Sequence, residues 1–480
     1  MSEPPVVILG AGPAGISSAW QLAEAGRHVV VLEKEGHVGG LGATRSLNGF
    51  RLDYGPHILC VRETEENAVL MRKLAPLLGP DPLVFERADR ILLRGKYYTY
   101  PVKILELLAG VPVGLAARIL IDYVRANAAL RFFPPAKDRS FEEWGVKNLG
   151  RTLYELCFGV YSRRVWGLPT SQISSRQAQR VAKLNLTEII LRATGLKIDP
   201  VHFRTFMYPR GGMGVVYERM AEHVRARGGQ VQLGCPVRRL IRRGSRIERV
   251  VYQTPEGQEA SLACEGVVST VPLPVIAEAF DEPLEASVRQ QAAQLQYRSL
   301  QFCYVVVKRE RVTNFHWCYL LDERYHCNRI SEQKNVDAEM IPGNQTVLLF
   351  EMSCDKGDQV WNATDAELRR LVEADIREAK ILQDLSAIAG FFTRRVEFAY
   401  PVYKLHFEDN LFPVLEVLHR FDNFLSVGRH GLFLNNSMDD NMMLGVKVKD
   451  FLQTRQTGTW DPGDWFAHMN AFMQLRFAGK

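Results

Sequence analysis

No two of the eight cysteines in this 480-residue chain form a Cys-x-x-Cys pair. Cys60, Cys157, Cys235, Cys264, Cys303, Cys318, Cys327 and Cys354 are scattered, so the spacing of a zinc site is missing and no metal is expected. A disulfide framework is not expected in a chain of this length either, and buried thiols in a reducing cytoplasm are the reading that fits. Internal repeats and low-complexity tracts are absent. The N-terminus carries Glu3 and two prolines and then starts a strand at once, which is unlike a secretory signal peptide. The net charge of +6 is mild, and no basic-aromatic module accompanies it, so a nucleic-acid polymer is not an expected partner. Long apolar runs are missing too. The nearest to one, residues 104–121, contains Glu106, Pro112 and Arg118 and falls short of the ~20 apolar residues that a span needs. It reads as a buried or half-buried helix, with peripheral membrane contact as the less favoured alternative.

What is present is an ordinary globular balance, 46% hydrophobic and 24% charged, in a chain longer than one core usually serves. Two interlocked domains are expected. Val6–Leu9 is an apolar, β-branched run typical of a buried parallel strand. Gly10, Gly12 and Gly15 follow, then helical apolar spacing over 16–25 closed by Gly26, then a second buried strand, Val29–Leu32, that ends at Glu33. This is a βαβ unit with a Gly-x-Gly-x-x-Gly turn and an acid after its second strand. Gly10 permits the tight turn, Gly12 lets backbone approach a pyrophosphate, and Gly15 lets helix and strand pack closely. The helix N-terminus supplies unpaired N–H groups for a diphosphate, and Glu33 can accept from a ribose.

That unit alone does not separate NAD from FAD. The residues after it do. Glu33-Lys34 leads to the double glycine Gly39-Gly40, where a second loop can lie against the cofactor, and Gly55-Pro56-His57 follows. Here the chain resembles the flavoprotein superfamily of amine oxidases, protoporphyrinogen oxidases and UDP-galactopyranose mutases. The resemblance implies FAD, with Gly39 and Gly40 beside the pyrophosphate and Gly55, Pro56 and His57 near the flavin ring. Val237 resembles the family's adenine-facing valine. Gly428-Arg429 and the Asn436-Ser437-Met438 helix start resemble its C-terminal flavin motif, where a helix N-terminus can stabilise negative charge on a reduced flavin. The implied fold is α/β: a Rossmann-like FAD-binding domain assembled from three chain segments (1–90, 205–290 and 415–455), with an inserted α+β substrate domain (91–204 and 291–414) made of a helical part and an antiparallel sheet. A C-terminal helix (456–480) completes it.

Within the superfamily the nearer likeness is to the mutases. Tyr161 to Gly167, Pro209 to Gly212, Tyr297 to Leu300, Asn314 to His316, Arg329 to Glu332 and Tyr400 to Tyr403 follow their order. The resemblance implies His57, Arg204 and Arg329 as catalytic candidates and Trp166, Arg210, Arg298, Tyr325 and Tyr403 as substrate-facing ones. The departures count as well. Where the mutases grip the substrate diphosphate with two tyrosines, this chain has Thr205, with Tyr208 out of register, and Leu434, Asn435 and Asn436. The retained arginines offer forks suited to phosphate or carboxylate, so an anionic small molecule is the expected substrate. Two functions follow: an FAD-dependent oxidoreductase that takes a hydride from a C–H bond, or a non-redox nucleotide-sugar mutase using reduced FAD as nucleophile. Convergence of Arg204, Arg210, Arg298 and Arg329 on one pocket would support the anionic substrate. The sequence does not identify the oligomeric state.

Overall fold

Every side chain of Val6–Leu9 and Val29–Leu32 is buried, as strands covered on both faces require. These two pair in parallel at the centre of a five-stranded sheet. Its order across is Gln230–Gln232, Val29–Leu32, Val6–Leu9, Gly266–Ser269 and Phe424–Ser426, all parallel. The computed structural model describes residues 3–60, 65–132, 140–180, 205–453 and 460–477.

Two helices cross against each other beside this sheet, Pro13–Glu24 and Met438–Gln453. The crossing is close because Gly445 faces Ser17, whose hydroxyl donates to the Met442 carbonyl at 2.8 Å. The helix Gly214–Ala226 packs nearby through the buried Val216, Tyr217 and Met220, and the C-terminal helix Pro462–Phe477 buries Trp465, Met469 and Met473.

A seven-stranded sheet stands beyond the strand ends. Its order is Ile388–Pro401, Tyr297–Val307, Thr346–Cys354, Arg329–Glu332, Trp317–Leu320, Arg90–Leu93 and Lys96–Thr99, antiparallel except where Trp317–Leu320 meets Arg90–Leu93. Strand alternation sends its apolar side chains two ways. Leu300, Phe302, Tyr304 and Val306 join the core of the parallel sheet, whereas Cys303, Val305 and Val307 pack under the Asp365–Glu378 helix with Leu368, Val372 and Ile376. A third core, around Phe141, Trp144 and Tyr154, holds the helical part.

Cys157, Cys235, Cys264, Cys303, Cys318, Cys327 and Cys354 are free thiols and buried, as the scattered spacing implied. The 104–121 stretch is not one helix. It breaks before Pro112 into Ile104–Gly110 and Val113–Phe132, and the second turns apolar side chains outward. Proline fixes φ and has no N–H to donate, so a helix ends ahead of it.

The Gly445 contact is exposed to mutation. A Cβ there would lie 2.6 Å from backbone atoms of Ser17 and Ser18, which cannot rotate away. Gly445→Ala should lower stability by about 1–3 kcal/mol as the two helices are forced apart. Denaturant unfolding of the apoprotein measures it.

Candidate active site

A cavity of about 1870 Å³ opens at the carboxyl ends of the parallel strands and runs to the seven-stranded sheet. One end is built almost wholly from backbone. Gly10 adopts φ +94°, and a side chain there would collide with the Thr270 hydroxyl; one on Gly15 would collide with the Gly10 carbonyl oxygen. Gly12 differs: a Cβ at that position would meet nothing within 4 Å. The space above Gly12 is therefore left for something other than protein. Gly39 and Gly40 close the loop from the other side. Gly39 N–H donates to the Ala11 carbonyl at 2.8 Å, and a Cβ on Gly40 would stand 3.1 Å from the Gly12 Cα.

Glu33 organises this loop as well as facing the cavity. Its Oε2 accepts from Ala11 N–H at 2.6 Å and its Oε1 from Glu35 N–H at 2.9 Å. Burial raises its pKa, while those two backbone bonds pull it back down. A carboxylate has about four acceptor sites, so ribose hydroxyls can still be bound. Lys34, Val237 and Gly428 line the same end. Gly428 needs its positive φ of +82°, and a side chain on it would press on Ala14.

Asn436, Ser437 and Met438 line the cavity where the Met438–Gln453 helix begins. Ser437 caps that helix with Asp440: Asp440 N–H donates to Ser437 Oγ at 3.5 Å, and the Asp440 carboxylate accepts from Ser437 N–H at 3.2 Å. Arg429 holds the preceding turn, its Nη2 donating to the Asn436 carbonyl at 2.6 Å. Asn436 Nδ2 is buried without a hydrogen-bond partner among the described residues, and so is Nδ1 of His57. Such groups are costly unless a ligand satisfies them. Burial, with Arg329 and Arg429 nearby, pushes the His57 imidazole down to about 3, so it is neutral at physiological pH.

The segment ahead of His57 is anchored through Asp53. Its carboxylate accepts from Thr44 Oγ1 at 2.5 Å and Tyr208 Oη at 2.6 Å, and burial pushes it up to about 6. Tyr208 thus supports the loop that leads to His57. Gly55 needs φ +145°, and it lies against Glu351 and Arg329.

The far end is aromatic. Tyr100, Tyr161, Trp166, Tyr319, Tyr400 and Tyr403 line it. Tyr161 meets Tyr319 edge-on at 6.0 Å between ring centroids, and Trp166 meets Tyr400 at 6.2 Å. Arg329 is there, but Glu351 engages it with a fork: Nε to Oε1 at 2.7 Å and Nη2 to Oε2 at 2.6 Å. The two are cross-strand partners, and Glu351 is the single charge in the apolar strand Thr346–Cys354. A lone acid in such a strand was the signal that could have revealed it.

Arg210 and Arg298 do not join Arg329. Arg210 is on the surface, where it pairs with Asp81 at 2.7 Å and Glu339 at 3.5 Å. Arg298 is buried behind Trp166; its Nε donates to the Val165 carbonyl at 2.9 Å and it pairs with Asp355 at 2.5 Å. It closes the end of the Val160–Trp166 helix, where a cation complements the terminal carbonyls. Arg204 lies outside the described residues. Tyr325 is not at the cavity either. It sits in the core beneath the Asp365–Glu378 helix, where burial pushes its phenol up to about 12. Of the three described arginines whose convergence would support an anionic substrate, Arg329 lines the cavity and Arg210 and Arg298 do not, so the anionic substrate loses that support.

The profile of the family described as flavin containing amine oxidoreductase matches residues 13–406. The chain belongs to that family. FAD is its cofactor, and the open space above Gly12, the Glu33 carboxylate and the unsatisfied Asn436 and His57 nitrogens fit it. Among curated relatives, a phytoene dehydrogenase of Streptomyces griseus is 27% identical over 295 residues, 56% of this chain and 54% of that protein. A UDP-galactopyranose mutase of Mycoplasma pneumoniae is 26% identical over 248 residues, 48% of this chain and 54% of that one. The matches thus span about half the length of these relatives. In fold, the family member superposes on a reduced UDP-galactopyranose mutase with a TM-score of 0.78 at 20% identity, covering 97% of both chains. It also superposes on a putrescine oxidase bound to putrescine with 0.60 at 17%, covering 94% of this chain and 99% of that one.

Gly12 and Gly15 separate cofactor binding from folding. Gly12 has φ −65°, which alanine adopts freely, so Gly12→Ala should leave apoprotein stability within about 0.5 kcal/mol. Its FAD affinity should fall at least about tenfold, because the methyl takes the space of the ligand. Gly15→Ala should instead destabilise the apoprotein itself. Thermal melting and FAD titration of both variants check this.

Proposed function

We propose that the protein is an FAD-dependent oxidoreductase that removes a hydride from a C–H bond of a largely apolar substrate. The observation that carries this reading is the aromatic far end of the cavity, where Arg329 is neutralised by Glu351. Gly10, Gly12, Gly39 and Gly40 would hold the pyrophosphate, Glu33 the ribose, Val237 the adenine, and Asn436 to Met438 with His57 the flavin. When bound, FAD supplies a two-electron acceptor. The chain's own residues have three tasks. Tyr161, Trp166, Tyr319 and Tyr400 orient an apolar body and exclude water. Tyr403 fixes the adjoining wall, its hydroxyl accepting from Asn435 N–H at 2.7 Å. His57, neutral and buried, offers Nδ1 for a hydrogen bond without adding charge.

A second reading, nucleotide-sugar pyranose–furanose isomerisation, draws support from Tyr161, Trp166, Arg329, Tyr400 and Tyr403 lining the cavity in the mutases' order. Against it stand the absent diphosphate-gripping tyrosines and the forked Arg329–Glu351 pair, since a charge already bound to a buried partner is a poor phosphate ligand.

Anaerobic mixing distinguishes the two. Oxidised enzyme offered apolar amines and polyenes should lose its visible flavin absorption in a single turnover with at least one of them. Furanose formed from a UDP-hexopyranose by dithionite-reduced enzyme, without net oxidation, would overturn the oxidoreductase reading.

A further inference from the structure

Five of the eight exposed large hydrophobic side chains among the described residues lie on two consecutive helices. Leu105, on Ile104–Gly110, is 59% exposed; Val113, Leu120, Ile121 and Val124, on Val113–Phe132, are 86%, 44%, 50% and 59% exposed. At 3.6 residues per turn the last four fall with Ala117 on one stripe about 100° wide. A stripe of that width ordinarily faces a core. Here the opposite face already does, with Ile119 and Tyr123 buried. The helix is therefore apolar on both sides, and its outer side has no partner within the described chain.

The charges around the stripe are one-sided. Lys103, Arg118 and Arg125 are exposed along it. The two acids of the segment are turned to the protein: Asp122 accepts from Thr152 N–H at 3.2 Å, and Glu106 from Thr99 N–H at 3.2 Å. Long cationic side chains beside an apolar stripe can lay their stems on it and place their heads among anionic groups.

We infer that this face docks on the surface of an anionic lipid bilayer. The helix lies in the interface and does not cross it, since no helix of the described residues is long and apolar enough to span a membrane. The location ties docking to the cavity. Tyr100, Pro101 and Val102, which line the cavity, lead directly into Ile104–Gly110. Ile119, on the inner face of the next helix, packs in one cluster with Ile91, Phe141 and Trp166, which are also lining residues. One helical layer thus separates the bilayer from the aromatic end of the cavity. This gives the apolar substrate of the proposed reaction a lipid source, and in that respect it rests on that reading; the docking itself is measured without any substrate.

The test is flotation of the FAD-loaded full chain with vesicles of phosphatidylcholine, alone or mixed with phosphatidylglycerol. The wild type should float with the mixed vesicles and less with the neutral ones. Leu120→Glu, Ile121→Glu and Val124→Glu combined should lose more than about tenfold in vesicle affinity while keeping the flavin spectrum and melting temperature. Should that variant misfold, Arg118→Ser with Arg125→Ser leaves the stripe intact and should lower affinity for the mixed vesicles about 30-fold, at about 1 kcal/mol per cation. Unchanged flotation of either folded variant would overturn the inference. So would a wild type that floats with neither lipid, including one that self-associates through this face instead.

Discussion

The backbone contact between Gly15 and the Gly10 carbonyl, pressed against Thr270, sets the position of nearly everything at the cofactor end. It is possible only because neither residue carries a side chain. It brings the first helix down onto the end of the first strand and fixes where that helix's N-terminal N–H groups point. The Thr270 hydroxyl completes it by donating to the Leu9 carbonyl at 2.8 Å, locking neighbouring strand ends together. Glu33 then ties the loop to the second strand through Ala11 N–H, and Gly39-Gly40 can pack only on a loop already held in that shape. A cradle for a diphosphate follows from steric constraint before any charge is considered.

Electrostatics divide the cavity into two unlike halves. At the cofactor end, backbone donors, a helix N-terminus and a carboxylate face space that protein does not fill. At and behind the far end two of the arginines are held by partners within the protein. Arg329 is forked on Glu351, and Arg298 is spent on a helix terminus. Removing one partner of a buried pair costs about 3–5 kcal/mol, so such pairs are structural commitments rather than standing invitations to an anion. Around that pair a substrate meets chiefly ring surface, with Arg429 lying over Tyr400.

The cofactor half was legible in the sequence because its determinants are local. Gly10 to Gly15, Glu33, and Gly39-Gly40 act within about 30 residues, and their spacing encodes their geometry directly. The substrate half was not, because its determinants are distant pairings. Arg298 reaches the Val165 carbonyl across 133 positions, and Arg210 is captured by Asp81 across 129. The resemblance and the residue type marked both as substrate-facing. Tyr325 was misplaced for the converse reason: a tyrosine close in sequence to a cavity residue, here Arg329, can still be core. The 104–121 stretch read as a buried or half-buried helix, with membrane contact less favoured; Ile119 is buried there, but Leu120 and Ile121 are exposed. A mixed apolar run does not say by itself which of its faces meets water.

The central claim is that the substrate end of the cavity selects apolar over anionic ligands. The most direct measurement titrates the oxidised holoenzyme with a long-chain alcohol and with its phosphate monoester, following perturbation of the flavin spectrum. The account predicts that the alcohol saturates at the lower concentration. Tighter binding of the phosphate would contradict it and return Arg329 to the role of anion receptor.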